Sequence, residues 1–72
     1  MKQEVHRYAA HEVHIGQRVL HQAYVEIRGG AVVGYGDFQE EPAFTEWLGG
    51  TIEVKENEDG SFFACHDKKV LV

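Results

Sequence analysis

VLHQAYVEIRGGAVVGYGDF, Val19 to Phe38, decides the fold class. In its first half Val19, His21, Ala23, Val25 and Ile27 fall on one side of an extended chain. Arg18, Leu20, Gln22, Tyr24, Glu26 and Arg28 fall on the other. A period of two belongs to a half-buried strand, because successive side chains of a strand point to opposite faces. Gly29 and Gly30 then separate two such runs, and adjacent glycines adopt the positive φ angles of a type I′ hairpin turn without steric cost. Pairing Arg28 with Ala31 sets Ile27 opposite Val32, Val25 opposite Gly34, Tyr24 opposite Tyr35, and Ala23 opposite Gly36. The face with Val25, Ile27 and Val32 is expected to be core. Gly34 and Gly36 would lie on it without side chains, leaving space for Trp47 or Phe44. The opposite face collects Leu20, Tyr24, Val33 and Tyr35, an apolar set that needs a cover.

Upstream, Val5 to Ile15 alternates less cleanly, with the odd positions Val5, Ala9, Val13 and Ile15 the more apolar side. A two-residue loop at Gly16 and Gln17 would join the odd face of this strand to the even face of the next. Side-chain parity therefore asks for a three-residue loop or a bulge. With the three-residue loop, His11 and His21 become diagonal neighbours. Downstream, Glu40, Glu41 and Pro42 precede Phe44, Trp47 and Leu48 at helical spacing, and Gly49 follows. Residues 42–48 read either as a short helical turn aiming Phe44 and Trp47 at the sheet or as an extended segment. Thr51 to Glu56 and Ser61 to His66 flank Asn57, Glu58, Asp59 and Gly60, a second hairpin with Asp-Gly turn chemistry. A two- or four-residue loop there puts Ile52 and Val54 on one side with Phe63 and Cys65. Val70, Leu71 and Val72 close the chain as a short apolar strand.

Nine valines, three isoleucines and two threonines reinforce this reading. The expected fold is all-β, a small sandwich or open barrel of five to six mostly antiparallel strands, in one domain over residues 1–72. At 72 residues with 43% hydrophobic side chains, the chain has a core but a thin one. Domains of this size usually gain stability from disulfides, a metal or a partner subunit. Cys65 is the single cysteine, so no internal disulfide forms.

Twelve acidic and seven basic residues give a net charge of -5, which disfavours nucleic acid as a partner. Only Lys68 and Lys69 are adjacent, so no polybasic patch attracts an anionic membrane. The first residues carry no signal-peptide pattern, and the expected location is the cytoplasm.

The stretches YVEIRGGAVVGYGDF, Tyr24 to Phe38, and WLGGTIEV, Trp47 to Val54, resemble the small N-terminal β domain of amidohydrolase-type metal-dependent hydrolases. The resemblance covers roughly 30 residues and implies a scaffold of strand, glycine hairpin, strand and glycine-containing segment. Where such enzymes continue to a paired His-x-His metal motif, this chain has Gly49, Gly50, Thr51, Ile52, Glu53, Val54 and Lys55. The resemblance therefore implies the scaffold without the active site, and no room remains for a catalytic barrel.

Five histidines raise the question of a metal, since neutral imidazole binds zinc, nickel and copper. On a regular strand His11 and His14 point to opposite faces, and His6 and His14 lie too far apart to share an ion. His11 with His21 is the one pair able to converge, and partly buried core histidines are the simpler account. Cys65 is expected on the apolar face as a buried structural thiol. No catalytic residue and no cofactor is expected. The expected function is that of a non-enzymatic, self-associating interaction module, a homodimer whose interface is Leu20, Tyr24, Val33 and Tyr35. Its alternatives are an accessory or remnant domain of a metal-dependent hydrolase, or a histidine-based metal-binding protein.

Overall fold

The computed structural model describes residues 4–40 and 43–72, and it is all-β. The strands are β1 (Val5–Ile15), β2 (Arg18–Arg28), β3 (Ala31–Asp37), β4 (Thr45–Trp47), β5 (Thr51–Glu56), β6 (Phe62–His66) and β7 (Lys69–Val70). They form one sheet in the order β3-β2-β1-β5-β6-β7. β1 is the centre. β2 lies antiparallel on one side, while the other side takes β4 along Arg7–Ala9 and then β5 along Glu12–Ile15, both parallel. The sheet rolls until β3 approaches β6, yet the two are not hydrogen-bonded and the roll stays open.

Inside the roll the largest fully buried side chains are Val13, Val25, Ile27 and Ile52, packed with Ala10, Ala23, Val54 and Ala64. Leu20, Val32, Leu48 and Leu71 close over them from the periphery. After β7 the chain crosses to β1, where the Tyr8 hydroxyl donates to the Val72 carbonyl at 2.7 Å. All fully buried side chains among the described residues are aliphatic, so the core is as thin as the chain length implies.

The parity conflict between β1 and β2 is real, and its solution is unusual. The turn is the two-residue Gly16–Gln17 loop, with Ile15 paired to Arg18, rather than the three-residue loop. Instead, the inner face changes parity within the strands. In β1 it passes from Ala10 to Val13, and in β2 from Val25 and Ala23 to Leu20. At the changeover Gln22 has φ 48, a left-handed conformation inside a strand. The local rotation lets both strands bend around the core without an inserted residue.

Two further expectations are corrected, and one reading left open between two alternatives is decided. First, a β-bulge at Val33 shifts the β2–β3 register after Ile27–Val32, so Val25 pairs with Tyr35, Glu26 with Gly34, and Tyr24 with Gly36. The glycines thereby move to the outer face. A side chain at Gly36 would meet the Tyr24 ring at 3.0–3.2 Å, and one at Gly34 would meet the Glu26 carboxylate. Trp47 and Phe44 fill no core gap. Second, Thr45–Trp47 is a strand with no helical turn among the described residues of 42–48, because pairing with β1 satisfies its backbone; Pro42 lies outside the described residues. Third, the second hairpin loop is five residues long, from Asn57 to Ser61, with Glu56 paired to Phe62. Asn57 and Ser61 close it by a backbone bond of 2.7 Å. An odd loop reverses the faces of β6, so Ala64 joins Val54 in the core while Cys65 pairs with Glu53 and is half-buried.

Candidate functional site

The parity change at Gln22 and the bulge at Val33 divide the apolar set expected at an interface. Leu20 turns inward and packs against the core. Tyr24 lies on the outer face over Gly36, with the Arg7 guanidinium 5.3 Å above its ring. Arg7 also donates to Glu26 Oε2 at 2.7 and 3.2 Å, which fixes the stack of Arg7 on Tyr24. Tyr24 is thus engaged within its own chain. Val33 and Tyr35 do come together, at the unclosed mouth between β3 and β6.

That mouth is an apolar concavity of the surface. It is a cavity of about 200 Å³ lined by Ile15, Val32, Val33, Tyr35, Val54 and Phe62. At its rim Val33, Tyr35 and Phe62 remain 51%, 46% and 42% exposed. No charged side chain lines it. Phe62 is absent from the expected interface set because a two- or four-residue loop puts it on the side of Glu53 and Lys55, whereas the five-residue Asn57–Ser61 loop turns it to the mouth. The signal that was available is the Asp59 side chain, which accepts from the Ser61 backbone and hydroxyl at 2.9 and 2.7 Å and shapes that loop. These bonds hold the Asp59 carboxyl below its ordinary pKa.

The histidines separate into different environments. His11 stands edge-on to Trp47, with ring centroids 4.9 Å apart, and Trp47 in turn meets Phe38 edge-on at 6.3 Å. His21 belongs to a different group, centred on Glu12. There His14 Nε2 donates to Glu12 Oε1 at 2.9 Å, and His21 Nδ1 lies 3.9 Å from Glu12 Oε2. The His14 hydrogen bond is the main reason the Glu12 carboxyl stays below its ordinary pKa, aided by charge on His14, His21 and His11. Among the described residues no three His, Cys, Asp or Glu side chains stand together as a metal site. His66 is structural, its Nε2 donating to the Gly49 carbonyl at 3.0 Å and tying β6 to the segment ahead of β5.

Among the described residues no helix is long and apolar enough to cross a membrane. Compared with protein-family models, with curated proteins and with solved structures, the chain matches none.

Proposed function

We propose that the protein is a non-catalytic, self-associating β module that works as a cytoplasmic homodimer. The observation that carries this reading is the open apolar mouth between β3 and β6, with Val33, Tyr35 and Phe62 at its rim. The area of the chain supports it. Its accessible surface is 5260 Å², whereas a folded monomer of 8.2 kDa exposes about 4,500 Å². The excess fits a roll that a single copy leaves open. An aliphatic core of this size also gains from burying a further apolar patch on association. The amidohydrolase-like stretches enter this proposal as scaffold alone, since the Gly29–Gly30 hairpin and the Gly49–Gly50 segment position the strands and supply no ligand.

Sedimentation equilibrium over a wide concentration range tests the proposal. The expected result is a species near twice 8.2 kDa that dissociates on dilution, with dissociation promoted by Tyr35→Asp. A single species at 8.2 kDa throughout would overturn it.

A further inference from the structure

Phe44 is the most exposed apolar side chain among the described residues. Its ring is fully in solvent and its backbone has φ 53, a left-handed conformation that a bulky residue adopts at a cost. The carbonyl of the preceding Ala43 is held twice. Arg7 donates to the Ala43 carbonyl at 3.2 Å and the Thr45 hydroxyl donates to the same oxygen at 3.0 Å. On the other side Thr45–Trp47 is paired to β1. A strained, anchored turn that presents a bare phenyl ring is an apolar knob.

The same molecule carries a hole of matching size. An apolar cavity of roughly 150 Å³ takes up a benzene molecule, and the mouth between β3 and β6 offers about 200 Å³ with no charged group in its lining. Val33 belongs to both features, since it lines this cavity and also the concavity shared by Phe44, Arg7 and Arg28. The hole therefore borders the β3 edge, while the knob stands ahead of β4 on the far side of β1, across the concavity that reaches Val33 on that edge. The Val33 bulge breaks the regular ladder on that edge, which favours side-chain insertion over addition of a further strand.

We propose that two copies of the chain close on each other by exchanging these groups, Phe44 of each copy entering the β3–β6 cavity of the other. The proposal rests on the self-association argued above and adds the residue that makes the contact. Reciprocal exchange satisfies both knobs and both holes and stops at two subunits. One-way insertion would leave a free knob at one end and a free hole at the other, and would propagate.

The test combines two variants in sedimentation equilibrium, with thermal melts to confirm folding. Phe44→Ala removes the knob from a fully exposed position and leaves the fold intact. It is expected to raise the dimer Kd at least about a hundred-fold, because each dimer loses two buried aromatic anchors. Phe44→Leu, which keeps an apolar knob, should give an intermediate Kd. Val32→Phe plugs the hole and should also abolish dimers. An equimolar mixture of Phe44→Ala and Val32→Phe chains should then form a heterodimer through its one remaining knob and hole, tighter than either variant with itself. If Val32→Phe fails to fold, the ordering of the parent, Phe44→Leu and Phe44→Ala decides. A parent dimer whose Kd is unchanged by Phe44→Ala overturns the exchange and leaves self-association standing. A parent that is monomeric at every concentration overturns both.

Discussion

Gln22→Val separates the observed strand geometry from a regular one by the sign of its effect. In an ordinary strand, β-branched valine is favoured over glutamine within a scale that spans about 1 kcal/mol. Gln22, however, has φ 48, where the face of both central strands changes over. Gln22 already bears the general cost of the left-handed region, and a β-branched side chain there crowds its own backbone further, by on the order of 1–2 kcal/mol. Valine should therefore destabilise by about 1–2 kcal/mol instead of stabilising. A chain of this size has a total stability of about 4–11 kcal/mol, so the loss is a visible fraction of it. Urea unfolding followed by circular dichroism reads it out. With a slope of about 1 kcal/mol per molar urea, the midpoint should fall by roughly 1–2 M. Protein concentration must be held constant because the proposed association would contribute to apparent stability. Gln22→Gly is the control, since relief of strain and the entropic cost of glycine nearly cancel and leave the midpoint within about 0.5 M. A midpoint that rises for Gln22→Val would refute the parity changeover.

Arg7→Ala should cost about 1 kcal/mol and lower the melting temperature by roughly 4–8 °C, because Glu26 loses its partner and Tyr24 its stacked cation; an unchanged melt would show that the stack adds nothing. Gly36→Ala pushes the Tyr24 ring off its seat 3.0–3.2 Å away, and a loss of about 1–3 kcal/mol in urea unfolding is expected. An effect near zero there would place the glycine back on the other face. Glu12 has a lowered carboxyl pKa in the folded state, so its contribution is present above the ordinary value of 4.5 and is lost as pH falls through the folded value. Acid unfolding of the parent should accordingly be steeper than that of Glu12→Gln, and identical slopes would remove the His14–Glu12 interaction from the account.

Much of the fold was legible in local pattern. Period-two runs placed β1 and β2, Gly29–Gly30 placed the first β2–β3 hairpin and its opening pairs Arg28–Ala31 and Ile27–Val32, and Asp59–Gly60 marked the second loop. Those signals are local because a strand exposes alternate faces and a tight turn demands particular φ values wherever the chain later packs. The inward facing of Val13, Val25, Ile27, Ile52 and Val54 followed from the same alternation.

Facing beyond the first few pairs of each hairpin belonged to the tertiary structure. One bulge at Val33 moved Gly34 and Gly36 to the outer face, and one odd residue in the Asn57–Ser61 loop exchanged Cys65 for Ala64 in the core. A single-residue shift inverts every following side chain of a strand, so errors of one position become errors of whole faces. Whether the shift occurs depends on how the sheet must bend to bring β3 toward β6, a requirement carried by residues far apart in the chain. The same closure set the candidate site. Val33 and Tyr35 were visible as apolar residues without a cover, but Phe62 joined them, Tyr24 left them for Arg7, and Phe44 was stranded in solvent only because Thr45–Trp47 found backbone partners along β1. Composition and alternation determined that this chain would be a small β domain with apolar surface to spare; the roll of the sheet decided where that surface lies, because long-range pairing, and no local propensity, sets strand parity.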